Sequence, residues 1–386
     1  MRDGTSPEAV QILDDLIQEA VRSGASDIHL EPKEHRLAVR LRVDGVLVTR
    51  RPYPLEKSNT ILARVKVLGR LDLAERRLPQ DGTFETSVQG RTIAIRCSSF
   101  PTPHGEKMVL RLLPGGHSMP LARLGMKEDQ VPVVQRWVAR TSGLVLVTGP
   151  TGSGKTSTLY SCLSALDARS RNVMTLEDPI EVQLPEITQG QVNTRIGFDF
   201  ARGLRHILRQ DPDVILVGEM RDRETAQIAL RASLTGHLVL STLHTTSAVA
   251  TIVRLLDMGL EQHVVAGALT GIIAQRLARK VCLHCRHETS LERDWSPDFG
   301  FEVPKEALVA TAKGCPRCLH TGFRGRAGLF DVVEVDDDLR DLIRSGASRR
   351  ELKELLHGRN LSTVRRRGVE LAMQGITTLD EVLRVT

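Results

Sequence analysis

Aromatic side chains are scarce in this 386-residue chain, where phenylalanine, tryptophan and tyrosine together make up 3% of the residues. Few aromatic rings leave few platforms on which the bases of single-stranded DNA or RNA could stack. The charge excess is also small, because 53 Lys and Arg residues oppose 47 Asp and Glu residues, a net charge of +6. A dedicated nucleic-acid-binding protein more often concentrates positive charge on one face. We therefore expect no nucleic-acid partner.

Long hydrophobic runs are absent as well. The apolar stretch of residues 264–274 is interrupted by Gly267, Thr270 and Gly271 and falls short of the ~20 residues of a membrane-spanning helix. The N-terminus, MRDGTSPEAV, lacks the apolar segment of a secretory signal. The six cysteines include two CxxC pairs, which favour metal binding in a reducing compartment over a disulfide framework. The sequence predicts a cytoplasmic protein.

The N-terminal part, residues 1–116, has the pattern of an α+β module. Ser6 and Pro7 suit the cap and first position of a helix. The turn Asp44-Gly45 between two short alternating runs predicts a β-hairpin. Residues 114–116, Pro-Gly-Gly, are typical of a linker. The strand and helix patterns of this module cover residues 37–43, 46–49, 60–73, 92–98 and 107–113.

The rest of the chain predicts an α/β domain followed by two smaller regions. In residues 121–280, short continuous apolar runs alternate with helical stretches, which indicates a parallel sheet covered on both faces. Residues 281–330 are rich in cysteine and glycine and predict a small metal-binding module. Residues 331–386 are charged, with leucines at helical spacing, and predict a helical C-terminal region.

Residues 149–156, GPTGSGKT, have the GxxxxGK[ST] pattern of a phosphate-binding loop. An apolar run precedes the segment and a helical pattern over residues 157–166 follows it, as the motif requires. Glycines let backbone N–H groups approach phosphate oxygens, and the helix N-terminus adds positive partial charge. We expect Lys155 to reach the β- and γ-phosphates and the Thr156 hydroxyl to coordinate Mg²⁺. The predicted nucleotide-binding residues are Gly149, Pro150, Thr151, Gly152, Ser153, Gly154, Lys155, Thr156 and Ser157.

Polar residues follow three further apolar runs of the predicted sheet. Glu177 and Asp178 follow residues 173–176, Glu219 follows residues 214–217, and His244 follows residues 238–240. Because ligands bind beyond the carboxyl ends of parallel strands, these three ends and the phosphate loop should converge on one edge of the sheet.

Glu219 is the candidate for polarising the water that attacks a γ-phosphate, since hydrolysis needs a carboxylate there. A single Glu after a strand is also typical of a helix N-terminus or a surface charge, and the phosphate loop favours the catalytic interpretation. His244 is a candidate for a hydrogen bond to the γ-phosphate. His237 precedes its strand, so we expect it at the opposite end, where a structural hydrogen bond is an equal alternative.

Two CxxC pairs separated by 29 residues predict a tetrahedral zinc site with four thiolate ligands. A full thiolate shell leaves no open position, so the expected role is structural. The predicted ligands are Cys282, Cys285, Cys315 and Cys318, and the possible substitutes are His284, His287 and His320. The two remaining cysteines, Cys97 and Cys162, fit core positions.

Several long motifs in this order resemble those of the secretion and pilus-assembly ATPases, in particular the type II secretion and type IV pilus extension branch. The resemblance covers nearly the whole chain. The N-terminal motifs are ASDIHLEP (25–32), RLDLAERRLPQDG (70–82) and HGEKMVLRLL (104–113). The later motifs are GPTGSGKT, TLEDPIE (175–181), ILVGEMRD (215–222), LTGHLVLSTLHT (234–245), AQRLARKVCLHC and GCPRCLHTGFRGRAGLFDVVEV.

The resemblance implies a PAS-like N-terminal module, a RecA-like ATPase core and a homo-hexamer that uses ATP, Mg²⁺ and Zn²⁺. Such a ring would act at the cytoplasmic face of the inner membrane, associating peripherally with platform proteins that add pilin-like subunits to a filament. It also implies Glu219 as the catalytic glutamate, Glu177 near Mg²⁺, and His237 and His244 as a histidine box. The arginines that match motif arginines are Arg64, Arg77, Arg205 and Arg209, and which of them reaches the phosphate stays open.

Some features depart from the family pattern. Assembly members usually carry a further N-terminal docking domain, whereas this sequence starts directly at the module that follows it. Either membrane recruitment differs or the sequence is part of a longer chain, and the docking partner is not identified. Thr83 stands where Arg is common, and Thr246-Ser247 where Asn-Asp is frequent. The four-cysteine segment favours the assembly branch over the retraction branch. The alternatives are a RecA-like nucleic-acid translocase with a zinc module, and a nucleotide sensor that does not hydrolyse.

Overall fold

The computed structural model describes residues 6–113, 119–304, 307–359 and 363–386. The predicted linker, residues 114–116, lies outside the described residues. The described residues fall into two units. The first holds residues 6–113 with Cys282–Arg286 and Ala312–Gly325, and the second holds the remainder. Segments of the cysteine-rich region thus belong to both units, and the four-part division of the chain stays a prediction.

The first unit is an antiparallel sheet with two helices on one face. Its helices are α1 (Pro7–Ser23) and α2 (Ser58–Leu68). Its strands are β1 (Ala25–Lys33), β2 (Arg36–Val43), β3 (Val46–Thr49), β4 (Tyr53–Pro54), β5 (Gln80–Val88), β6 (Arg91–Thr102) and β7 (Gly105–Leu113). The sheet order is β3-β2-β1-β7-β6-β5, with β4 beside β2.

Local sequence signals explain most elements of this unit. The Ser6 hydroxyl accepts a hydrogen bond from Ala9 N and Pro7 opens α1, as predicted. β2 and β3 form the predicted hairpin. Three strands, β1, the two-residue β4 and β5, were not predicted. The helix predicted over 60–73 ends earlier, at Leu68, where Gly69 packs so closely on Cys97 that a Cβ would lie 2.4 Å from the sulfur.

The second unit is built around a seven-stranded sheet with order β10-β9-β11-β12-β8-β13-β16. The strands are β8 (Gly143–Thr148), β9 (Val173–Glu177), β10 (Thr188–Gln191), β11 (Val214–Val217), β12 (Leu238–Leu243), β13 (Leu269–Val281) and β16 (Phe323–Glu334). A separate pair comprises β14 (Arg286–Ser290) and β15 (Leu308–Ala312). Every pairing from β10 through to β13 is parallel, which confirms the predicted parallel sheet.

Helices cover both faces of this sheet. Alternate residues of β8 enter opposite cores, with Leu144 and Leu146 on one face and Val145 and Val147 on the other. The helices are α3 (Gln130–Val138), α4 (Lys155–Ser164), α5 (Phe200–Ile207), α6 (Arg223–Leu234), α7 (Ala248–Asp257), α8 (Gln262–Ala268), α9 (Ser296–Phe299), α10 (Asp337–Arg344), α11 (Arg349–Gly358), α12 (Val364–Met373) and α13 (Leu379–Val385). None of the described helices combines the length and hydropathy needed to cross a bilayer.

Candidate functional site

The loop between β8 and α4 has a backbone that favours glycine at three positions. Gly149, Gly152 and Gly154 have φ values of 155°, 78° and 87°. A Cβ on Gly149 would lie 2.5 Å from the Ser153 hydroxyl and 2.6 Å from the Gln275 carbonyl oxygen, so a side chain does not fit there. α4 starts at Lys155, two residues before the predicted start, so its free N-terminal amides adjoin the loop. An anion is favoured at this helix end.

Two polar side chains of the loop fit a phosphate ligand. The Lys155 ammonium donates to the carbonyl oxygens of Gly149 (2.9 Å) and Pro150 (3.1 Å). Burial lowers the pKa of Lys155, while the negative charge of Glu219 acts in the opposite direction. The Ser153 hydroxyl is buried and has no hydrogen-bond partner among the residues that the structure describes. A buried hydroxyl without a partner is costly, so a phosphate oxygen would satisfy it.

Gln275 in β13 holds the phosphate loop from the side of the sheet. Its Nε2 donates to the Ser153 carbonyl oxygen (2.6 Å), and its Oε1 accepts from the Thr158 hydroxyl of α4 (2.7 Å). The residue is 1% exposed. Sequence reasoning missed this role, although Gln275 lies in the quoted motif AQRLARKVCLHC, because the spacing of the motif does not indicate a contact more than 100 residues away.

Glu219 lies just beyond β11 in contact with an arginine and a histidine. An Arg221 guanidinium nitrogen is 2.5 Å from Oε1, and His244 Nε2 is 3.2 Å from Oε2. Burial alone would raise the pKa of Glu219, but the hydrogen bonds from Arg221 and His244 outweigh it and the pKa is lowered. The carboxylate therefore stays ionised at neutral pH, as a general base requires. Arg221 was not singled out from the sequence, although it lies in the motif ILVGEMRD.

The four predicted strand ends do meet at one edge of the sheet, because β9, β11, β12 and β8 are consecutive parallel neighbours. Hydrogen bonds link these ends: Met220 N donates to Thr242 O (3.1 Å) and Thr245 N donates to the Thr148 hydroxyl (3.2 Å). The turn that carries Glu219 is thus tied to the end of β12, and the end of β12 to the phosphate-loop strand.

Glu177 is buried at the end of β9 and surrounded by donors from the protein itself. It accepts hydrogen bonds from the Tyr160 hydroxyl (2.5 Å), the Thr175 hydroxyl (2.6 Å) and Gln189 Nε2 (3.1 Å). Burial and this carboxylate raise the pKa of Tyr160, so its proton stays in the hydrogen bond. The geometry fixes Glu177 rigidly beneath the site.

The remaining predicted residues lie in different surroundings. His237 precedes β12 at the end opposite His244, and its Nδ1 is 3.0 Å from the Ala232 carbonyl oxygen, a structural contact. Arg205 forms an ion pair with Glu224, and an Arg209 guanidinium nitrogen donates to the Arg205 carbonyl oxygen (2.9 Å). Arg64, in α2, and Arg77 belong to the first unit.

The four predicted cysteine ligands come together in the first unit. Their sulfur atoms lie within 4.8 Å of one another, with separations of 3.9, 3.9 and 3.7 Å for three of the pairs. A tetrahedral site with metal–sulfur bonds of about 2.3 Å has sulfur–sulfur edges of about 3.8 Å, so the cluster fits a metal ion such as zinc.

The thiols of the cluster differ in pKa, and neighbouring histidines have other partners. Burial raises the pKa of the Cys285 thiol to about 12. Burial would raise the pKa of the Cys318 thiol, but hydrogen bonds from the N–H groups of Cys315 and Gly322 lower it to about 7. Among the described residues no histidine belongs to the cluster. His284 instead contacts Arg317, and His287 contacts Thr311.

Comparison with known proteins gives consistent matches over nearly the full chain. The family model described as "Type II/IV secretion system protein" matches residues 3–384. The chain is 44% identical over 378 residues to the type II secretion system ATPase E of Vibrio cholerae, covering 98% of this chain and 75% of that protein. It is 47% identical over 378 residues to a type II secretion system protein E of Klebsiella pneumoniae, covering 98% and 76%.

Two solved structures have a similar mixed α/β fold. The pilus retraction motor PilT with bound ADP matches with a TM-score of 0.65 and 28% identity, over 97% of this chain and 96% of that chain. The Legionella pneumophila ATPase DotB matches with a TM-score of 0.71 and 21% identity, over 96% and 94%, a likeness of fold.

Proposed function

Because the chain belongs to the type II/IV secretion system protein family, we propose that it is an ATPase motor that hydrolyses ATP to ADP and phosphate to drive type II protein secretion or type IV pilus extension. The observation that carries this proposal is the convergence of the phosphate loop and the ionised Glu219 at the carboxyl edge of one parallel sheet. The relatives named as type II secretion proteins favour the secretion system over the pilus system.

In the proposed mechanism, backbone N–H groups of the phosphate loop other than Pro150, which has none, bind the β- and γ-phosphates together with the Lys155 ammonium. Binding moves the Lys155 ammonium from the two loop carbonyls to phosphate oxygens. Thr156 would hold Mg²⁺, which neutralises phosphate charge when bound. Glu219 accepts a proton from the attacking water, and His244, in contact with that carboxylate, hydrogen-bonds the γ-phosphate and reports its loss.

We further propose that the two units are a PAS-like N-terminal module and a RecA-like core, and that six copies form a ring. Negative charge develops on the transferred phosphoryl group, and a cation from a neighbouring subunit makes hydrolysis respond to ring closure. The candidates for this cation are Arg64, Arg77, Arg205 and Arg209. The four-cysteine site binds Zn²⁺ and stabilises its part of the chain.

The proposed location is the cytoplasmic face of the inner membrane, with peripheral attachment through platform proteins. The family membership supports this placement. No nucleic-acid partner is expected, given the small positive excess and the few aromatic residues.

Glu219→Gln tests the proposed function. The amide keeps the shape of the carboxylate but cannot accept the proton, so kcat should fall by roughly 100- to 10,000-fold while ATP binding is retained. The measurements are phosphate release at saturating ATP and equilibrium binding of radiolabelled ATP. Glu261→Gln is the matched control, because Glu261 also lies beside a histidine (3.4 Å) but is exposed. An unchanged kcat in Glu219→Gln would refute the catalytic role and favour a sensor that does not hydrolyse.

A further inference from the structure

The segment between α2 and β5, residues 69–79, is an exposed loop that carries three arginines. It has no regular secondary structure, and the side chain of Arg77 is 89% exposed. We call residues 69–79 the arginine loop. A loop of this kind cannot place a guanidinium group accurately unless other groups hold it.

A buried lysine holds the inner side of the arginine loop. Lys66 of α2 is 2% exposed, and its ammonium lies 2.7 Å from a Glu106 carboxylate oxygen. The same ammonium donates to the carbonyl oxygens of Glu75 (2.6 Å) and Asp72 (3.2 Å). The two hydrogen bonds of the ammonium therefore go to the loop carbonyls, and Glu106 supplies the opposite charge.

Gln80, the first residue of β5, binds the same two peptide groups. Its Nε2 donates to Asp72 O (3.0 Å) and Glu75 O (2.9 Å), and its Oε1 accepts from Asp72 N (2.7 Å). The carbonyls of Asp72 and Glu75 are therefore each held from two sides. The backbone of an otherwise exposed loop is fixed at these two points.

The carboxylate of Glu75 in turn binds Arg77. The Glu75 carboxylate accepts from the Arg77 backbone N (2.6 Å) and lies 3.1 Å from a terminal guanidinium nitrogen and 3.3 Å from Nε of the same side chain. The hydrogen bonds from Arg77 hold the pKa of Glu75 well below its usual range, at about 2. The pair is thus ionised at any physiological pH, and the carboxylate orients the arginine.

A purely structural role does not account well for the buried ion pair. Taking Lys66 and Glu106 out of water is costly, and an apolar side chain of similar volume is often as stable or more stable at such a site. What an apolar residue cannot supply is the pair of hydrogen bonds to the loop carbonyls. The identity of Lys66 therefore matters for the conformation of the loop.

We propose that Lys66 is a positioning residue that fixes the direction of the Arg77 guanidinium through the backbone and the carboxylate of Glu75. This inference rests on the proposed function and deepens it, because Arg77 is one of the candidate cations for phosphoryl transfer. Lys66 is buried beneath the arginine loop and acts only through it.

The test compares two variants that release the loop from opposite sides. Lys66→Met keeps the aliphatic volume and removes the ammonium. Gln80→Leu removes the hydrogen bonds of the Gln80 amide with Asp72 and Glu75 and leaves the buried ion pair of Lys66 and Glu106 intact. Trypsin should cleave after the loop arginines several-fold faster in both variants than in the unsubstituted chain. Lys57→Met is the matched control, because Lys57 directly precedes α2 but is paired with Glu8 at the surface. Trypsin should cleave the arginine loop of Lys57→Met at the same rate as that of the unsubstituted chain.

Steady-state ATP hydrolysis by the full chain is the second measurement. If the loop positions a catalytic cation, both loop variants lose roughly 10- to 100-fold in kcat, the range that corresponds to one hydrogen bond to a charged group. The KM for ATP stays within about twofold, because the phosphate loop belongs to the other unit.

Four outcomes decide the proposal. Unchanged trypsin cleavage in both variants overturns the anchoring, and faster cleavage with an unchanged kcat overturns the positioning role. A loss of kcat in Lys66→Met alone, with Gln80→Leu cleaved faster but fully active, would assign Lys66 a structural role only. If Lys66→Met does not fold, Gln80→Leu decides. Absence of ATP hydrolysis in the unsubstituted chain refutes the proposed function, whereas the cleavage rates still report whether Lys66 holds the loop.

Discussion

Replacement of Gln275 by leucine should destabilise the second unit and weaken ATP binding. Leucine fills a similar volume but leaves the Ser153 carbonyl and the Thr158 hydroxyl without the partners that lie at 2.6 and 2.7 Å. A buried polar group without a partner costs about 1–3 kcal/mol. The Thr158 hydroxyl can rotate toward its own helix, which reduces the cost of losing its partner. The losses at Ser153 and Thr158 together should lower the free energy of unfolding by about 2–4 kcal/mol.

The effect of Gln275→Leu on ATP binding should come from the phosphate loop and not from the Thr158 hydroxyl. The Ser153 carbonyl belongs to the phosphate loop, so losing its partner lets the loop shift and raises the KM for ATP. Thr158→Val is the control, because it removes only the hydroxyl bond and keeps the bond from Gln275 to Ser153. It should cost about 1 kcal/mol and leave the KM unchanged.

Urea unfolding followed by tryptophan fluorescence measures the stability difference. Both tryptophans of the chain, Trp137 and Trp295, lie in the second unit, so the signal reports the unit that contains Gln275. The reasoning is refuted if Gln275→Leu costs no more than Thr158→Val. It is equally refuted if the KM for ATP does not rise.

Two further changes test the electrostatics and the metal site. Burial raises the pKa of Asp331 from 3.8 to about 6, so the folded state keeps its proton between these values while the unfolded chain releases it. The free energy of unfolding therefore falls as pH rises through this window. Compared with the unsubstituted chain, Asp331→Asn should be more stable by about 1–3 kcal/mol at pH 8 and equally stable near pH 3.5. Urea unfolding at each pH measures the difference. For the four-cysteine site we expect one zinc ion per chain by elemental analysis and its loss in Cys315→Ser; a metal content at background in the purified chain would contradict the assignment.

The ATP-binding edge of the sheet could be predicted because its signals are local. Continuous apolar runs identify strands buried on both faces, and the glycine-rich segment after β8 has one well-known backbone requirement. Once the strands are parallel neighbours, their carboxyl ends coincide, which is why Glu219 and His244 could be placed together. The four cysteine ligands were likewise predictable, since CxxC spacing directs two sulfur atoms to one point.

Strand β1 could not be predicted, because its buried residues include charged ones. Asp27 and Glu31 are 4% and 5% exposed and would read as surface positions. Their charges are balanced by side chains from other strands: Arg111 lies 2.9 Å from Asp27, and Arg40 lies 2.7 Å from Glu31. Arg111 is 84 residues from Asp27, and Arg40 lies on the neighbouring strand, so the periodicity of β1 gives no sign of either partner.

Residues around the phosphate loop and Glu219 also differ in how far the sequence predicts them. Arg221 is two residues from Glu219 and its pairing was within reach of sequence reasoning, whereas Gln275 is joined to the phosphate loop only by the fold. Short-range motifs therefore predict which groups carry the chemistry. The tertiary contacts determine which groups hold them in place.

Arg77 and Glu219, the proposed catalytic carboxylate, are held in place by different kinds of contact. The turn that carries Glu219 is tied to the end of β12 by two hydrogen bonds, from Met220 N to the Thr242 carbonyl oxygen and from the Thr242 hydroxyl to the Gly218 carbonyl oxygen. Arg77 sits on a loop whose geometry depends on two side chains, Lys66 and Gln80. A motor needs one part of its site to stay constant while another responds to movement, and elements with few anchoring contacts are the ones that move. In the proposed ring, the anchoring of the arginine loop rather than of the strand edge should therefore set how strongly hydrolysis depends on assembly.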